Sequence, residues 1–98
     1  MREERYQTKE KASIEVYGRS QSIIGDLKNV SKTGACVEWV NEGVDILKGD
    51  LIRMTVFLKT LNRKHLLSAE VVWRKDKTVG VNFIDPEKVL EKLVARSM

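Results

Sequence analysis

Residues 69–83 read AEVVWRKDKTVGVNF, and this stretch decides the fold. Ala69, Val71 and Trp73 alternate with Glu70, Val72 and Arg74. After Lys75-Asp76-Lys77 the alternation resumes, with Val79, Val81 and Phe83 set against Gly80, Asn82 and Ile84. A period of two sends successive side chains to opposite faces of an extended chain, so each half is a strand and the polar break is a turn. The unit expected is an antiparallel hairpin.

The same period extends upstream. Ile52, Met54, Val56 and Leu58 share one face, opposite Leu51, Arg53, Thr55 and Phe57; Ala35, Val37 and Trp39 form another row. Weaker runs lie at 14–17 and 23–30. Turn-rich segments at 18–20, 31–34, 41–43, 47–50 and 61–63 separate them. About six short strands at this spacing imply an all-β antiparallel barrel or sandwich, and closure into a barrel removes the exposed edges of a small sheet.

Downstream the period changes. Asp85-Pro86-Glu87 is a helix start, because Asp caps and Pro fits a first helical position that needs no N–H. Val89, Leu90, Leu93 and Val94 then recur at helical spacing, with Lys88, Glu91, Lys92 and Arg96 opposite. This amphipathic helix is expected to cover a side or end of the barrel, with a dimerisation helix as the alternative. The reading is a single domain over residues 1–98: a basic arm over 1–12, a six-stranded antiparallel β-barrel over 13–84 and a C-terminal α-helix over 85–97.

The chain's 98 residues suffice for one small core. Apolar residues make up 42% and charged residues 33%, a globular balance, and one proline with six glycines leaves no linker-like tract. Cys36 is alone, which fits a reducing compartment. The opening MREERYQTKEK lacks the apolar run of a signal peptide, and no segment approaches a membrane span, so the expected location is cytoplasmic. The sequon formed by Asn29-Val30-Ser31 then carries no meaning. A net charge of +4 and a pI near 9.3 favour an anionic partner. Basic residues gather at Arg2, Arg5, Lys9 and Lys11 and again at Arg74, Lys75 and Lys77.

Catalytic signatures are scarce. His65, the sole histidine, has no nucleophile beside it and reads as a half-exposed strand residue, while Cys36 reads as inert packing. No Cys/His cluster has metal-ligand spacing, and no glycine-rich phosphate loop precedes a helix. The chain is not expected to be an enzyme, and neither a metal nor a cofactor is expected.

Binding chemistry is better represented. Arg5 and Lys9 stand four apart on the arm. A guanidinium stacks on a base and reads the guanine O6/N7 edge, whereas an ammonium supplies a point charge suited to phosphate. Asn29 and Ser31, two apart, offer an amide and a hydroxyl on one side of an extended segment. Gly34 permits positive φ and a close backbone approach. Such groups suit a ligand that carries both guanine and phosphate. Gly49 and Gly80 read as structural, and Trp39 and Trp73 as core or barrel-end packing, with base stacking as the alternative.

In order, these segments are a basic arm, LKNVSKTGACVEW, KGDLIRMTVFL and SAEVVWRKDKTVGVNFID. Over nearly the whole chain they closely resemble the PilZ domain, a family of bacterial cytoplasmic receptors for the second messenger cyclic di-GMP. The resemblance implies a six-stranded antiparallel β-barrel with a C-terminal helix. It also implies two ligand motifs. Asp/Asn-x-Ser-x-x-Gly is met in full by Asn29, Ser31 and Gly34. Arg-x-x-x-Arg, often preceded by another arginine, is met by Arg5 and by Lys9 in the second place, with Glu4 where the extra arginine would stand. Arg2 is a possible auxiliary. An arginine fork on guanine contributes roughly 1–3 kcal/mol, so its replacement by lysine weakens binding by about 5- to 150-fold.

The resemblance therefore implies a cyclic di-GMP receptor whose arm moves onto the barrel with ligand and alters the surface shown to a downstream protein. The alternative is a PilZ-like interaction module that has lost the nucleotide. A barrel that binds DNA or RNA would need stacking aromatics, and at 6% aromatic residues this chain has few. Neither nucleic acid nor membrane insertion is expected, and the chain is expected to be a monomer or weak dimer.

Overall fold

The structure, a computed structural model, describes residues 6–7, 10–20, 22–39, 45–58 and 63–97. Each alternating run becomes a strand. In chain order they are β1 (Tyr6–Gln7), β2 (Lys11–Val16), β3 (Ser22–Val30), β4 (Gly34–Trp39), β5 (Leu51–Leu58), β6 (Arg63–Lys75) and β7 (Thr78–Phe83), followed by α1 (Pro86–Ser97). Every pairing is antiparallel. Going round from β3, the neighbours are β2, β5, β6, β7 and β4, and β4 pairs back onto β3. The six-stranded barrel is closed, as the residue pattern and the resemblance implied. β1 is an addition outside the ring, paired with the end of β3.

The arm therefore does not end where the sequence placed its boundary. Tyr6 lies opposite Val30 and Gln7 opposite Asn29, and β2 already begins at Lys11. Glu10 belongs to the same run, since its carbonyl accepts from the Leu27 amide at 2.8 Å.

Inward-facing residues build one core: Ile14, Ile23, Val37, Ile52, Met54, Ala69, Val71 and Val79 are all fully buried. Two strands break their own alternation. Between Leu27 and Asn29 the register of β3 against β4 shifts by one residue, and so does that of β6 against β7 between Val71 and Trp73. Lys28 and Val72 are the extra residues. A β-bulge of this kind leaves one residue unpaired and reverses the facing of those that follow.

The barrel's two ends differ. At the end formed by the last residues of β4 and β6, Trp39 is 1% exposed and Ile46 is fully buried. The Arg74 guanidinium lies 5.1 Å from the centre of the Trp39 ring. It also donates to Ile46 O at 3.3 Å, Asp76 O at 2.9 Å and Asp45 Oδ1 at 3.2 Å. At the opposite end lie β1, the end of β3, the 31–34 turn and the end of β7.

The helix α1 lies along the outside of β6. Lys92 and Arg96 flank Glu70 at 3.4 and 3.7 Å, and Arg96 donates to Gly49 O at 2.6 Å. Its first amides, Lys88 N and Val89 N, donate to Asp85 O. Only part of the apolar stripe is used: Val89 is buried, whereas Leu90 and Val94 are exposed.

Candidate functional site

The turn after β3 is held by Ser31. Its hydroxyl accepts from Gly34 N at 3.2 Å and from Thr33 N at 3.4 Å, and lies 3.3 Å from Gly34 O, to which it can donate. The Ser31 amide donates to the same carbonyl at 2.8 Å. At 7% exposure the serine is committed to shaping the turn. The strand-spacing argument showed it as a displayed partner of Asn29; instead the chain turns at Ser31, and the hydroxyl is spent inside.

Of the two properties the sequence offered for Gly34, the structure uses the close backbone approach and not positive φ. Positive φ among the described glycines occurs at Gly18 and Gly49 and not at Gly34. A Cβ on Gly34 would lie 2.3 Å from Val81 O, so what approaches closely is the backbone of β7.

Asn29 is re-aimed by the bulge. Ile23, Gly25 and Leu27 face inward, and strict alternation would send Asn29 in as well. The extra residue at Lys28 turns Asn29 outward opposite Cys36 and returns Val30 to the interior opposite Ala35. Lys28 itself pairs with Glu38 at 3.4 Å. Nearby, the Lys11 ammonium bonded to Asp26 holds that carboxyl below its usual value, and Lys28 adds to the effect.

The second bulge acts the same way on Trp73. The sequence put Trp73 on one face with Ala69 and Val71, but Val72 flips it to the outer surface, where it is 45% exposed. Its ring covers Gly80, where an added Cβ would come within 2.0 Å of the indole nitrogen. Asn29 pairs with Cys36, Cys36 with Gly80 and Gly80 with Trp73. The four form one straight row across the outer face of β3, β4, β7 and β6. Strands are about 4.8 Å apart, so the row runs roughly 14 Å from an amide to an aromatic plate. Gln7 of β1 extends it by one position beyond Asn29.

Asn29 and Gly34 are thus brought to one barrel end, with Ser31 fixing the turn between them. Arg2, Arg5 and Lys9 lie outside the described residues; their chain neighbours Tyr6, Gln7 and Glu10 run beside β3. Reading faces by strict alternation missed Trp73 as a surface group. A change of parity betrays the first bulge, since Leu27 and Val30 are both apolar but an odd number apart; β6 carries no such signal, because the residue its bulge turns back is Arg74.

No group of three His, Cys, Asp or Glu side chains suited to a metal occurs among the described residues. At the closed end, a cleft of about 220 Å³ is lined by Glu15, Tyr17, Arg19 and Arg53. Its cations are already engaged, Arg53 with Glu15 at 3.1 Å and Arg19 with Asp50 at 3.8 Å.

Fold and site together define a small, closed antiparallel β-barrel domain with its distinctive motif at one mouth. The PilZ domain model matches residues 1–98, and the chain belongs to that family, known for cyclic di-GMP receptors. Among solved structures, the PilZ domain of CeSA from a cellulose-synthesizing bacterium superposes with a TM-score of 0.69 at 13% identity, covering 97% of this chain and 99% of that one. An uncharacterised Legionella protein gives a TM-score of 0.52 at 19% identity, covering 95% and 96%. At these identities the likeness concerns the fold. No curated protein matches the chain.

Proposed function

We propose that the chain is a cyclic di-GMP receptor in which ligand draws the N-terminal arm onto the barrel and so changes the surface offered to a downstream protein. The observation that carries the reading is the pairing of β1 with β3, which sets Gln7 beside Asn29 at the head of the outer row. Arg5 would stack on guanine and read its edge, and Lys9 would meet a guanine edge or a phosphate. Asn29 would hydrogen-bond the ligand, with Ser31 and Gly34 setting the turn that presents it. Trp73 would supply a stacking plate. Arg2 is an auxiliary cation.

No covalent step is involved, so the role is binding and not catalysis, and it needs no cofactor besides the ligand itself. The switch follows from differential affinity: ligand favours the arm-docked state only because it touches both arm and barrel. Among the described residues no helix is long and apolar enough to cross a membrane. The proposed setting is the bacterial cytoplasm, with the chain acting as a monomer or weak dimer.

Isothermal titration of the full chain with cyclic di-GMP tests this. Saturable heat is expected, weakened by Asn29→Ala and strengthened by Lys9→Arg. No heat from a folded, concentrated sample overturns the reading.

A second reading is favoured by one observation: the Ser31 hydroxyl is consumed within its turn. With Lys9 in an arginine position, the chain would then be a nucleotide-blind interaction module. Binding that appears only in Lys9→Arg supports this alternative.

A further inference from the structure

The interior of the barrel is not filled at the motif end. Among the described residues, Leu27, Val30, Met54, Val56, Leu67, Phe83 and His65 line a partly open cavity of about 210 Å³. His65 lies opposite Val56, on the inward face that it shares with Leu67 and Ala69. The sequence context suggested a half-exposed strand residue without a role. In the structure the residue is indeed half-buried, and its Nε2 is buried with no hydrogen-bond partner among the described residues.

Each half of this observation needs explaining. A well-packed core leaves few voids larger than a water molecule, and apolar cavities of about 150 Å³ stay dry and accept benzene. Ordered water is a poor tenant here, because it needs two to four polar partners and the described lining offers one buried nitrogen. An unsatisfied buried imidazole nitrogen is itself destabilising, which a ligand group at that point would relieve.

We propose that this cavity is a second binding site, independent of the nucleotide reading, for a compact aromatic molecule bearing one hydroxyl. The volume exceeds that of a benzene site, which allows a ring with a short alkyl substituent. The hydroxyl follows from His65. Neutral imidazole presents either N–H or a lone pair at Nε2, and a hydroxyl donates and accepts through a single oxygen, so it satisfies either tautomer with the least polar surface to bury. The apolar wall contributes affinity through burial, and His65 selects for the hydroxyl.

The probes are para-ethylphenol and its hydroxyl-free analogue para-ethyltoluene, titrated into the full chain and followed by methyl and imidazole NMR. Saturable shifts at the Met54 and Leu67 methyls and at the His65 ring are expected, with the phenol bound about 2- to 10-fold more tightly. His65→Leu keeps the volume and should abolish the preference while retaining binding of both probes. Val30→Phe should fill the space and abolish both. Absence of saturable shifts in the wild-type chain overturns the proposal, as does equal affinity for the two probes. Should His65→Leu fail to fold, the wild-type comparison decides alone.

Discussion

The two ends of this barrel are built from the same alternating strands and are finished in opposite ways. At one end Trp39 is buried, and Arg74 covers it while binding the carbonyl of Ile46 and the carboxylate of Asp45. At the other, the interior holds a cavity, and an imidazole nitrogen has no partner among the described residues. A domain this small has little stability to spare. The sealed end supplies packing, which leaves the motif end free to expose groups that packing alone would bury.

Substituting the two tryptophans separates the packed interior from the outer wall most widely. Trp39→Ala should cost about 3–5 kcal/mol in urea unfolding, because a full indole leaves a closed core. Trp73→Ala should change stability by less than about 1 kcal/mol. Under the receptor reading it should weaken cyclic di-GMP by about 5- to 150-fold in calorimetry. Equal stability losses at the two positions would break the comparison.

The glycines sharpen it. Gly34→Ala drives a methyl into the Val81 carbonyl, which is backbone and cannot step aside; a loss of about 1–3 kcal/mol in thermal unfolding is expected. Gly80→Ala meets first the half-exposed indole of Trp73, a side chain that can swing away. Its signature should be a shift in tryptophan emission with little loss of stability.

Arg74→Met keeps the aliphatic stem over Trp39 but removes the cation and its bonds. A loss of about 1 kcal/mol is expected, and it should shrink as salt rises because the Asp45 carboxylate is largely exposed. The smallest effect belongs to Lys11 and Asp26 on the outer surface. The Asp26 carboxyl is held low in the folded state, so the pair stabilises above the ordinary carboxylate range and ceases to do so as pH falls through the folded value. The stability difference between wild type and Lys11→Met should therefore vanish in acid.

Much of this was legible in the sequence. The rows through Met54, Val37, Val71 and Val81 gave strands and core directly, and Asp85-Pro86 marked the helix. The family motif at Asn29, Ser31 and Gly34 was legible as a pattern, but not as a division of labour. Whether a serine hydroxyl faces a ligand or closes its own turn depends on where the chain reverses, which spacing does not reveal. Trp73 was misassigned because a bulge is a relation between two strands: Val72 is surplus only when counted against β7. The cavity was invisible because volume is a property of all the facing strands at once.

The two bulges have a consequence for how this sequence can change. Each acts as a parity switch, since everything beyond it faces the opposite way from what counting alone would give. Deleting Lys28 would exchange the Asn29 amide and the Val30 side chain between surface and interior in a single step. Deleting Val72 would do the same to Trp73 and Arg74, unplugging one mouth of the barrel while stripping the plate from its wall. In most surface positions a missing residue shortens a loop; at these two it would turn a stretch of the protein inside out.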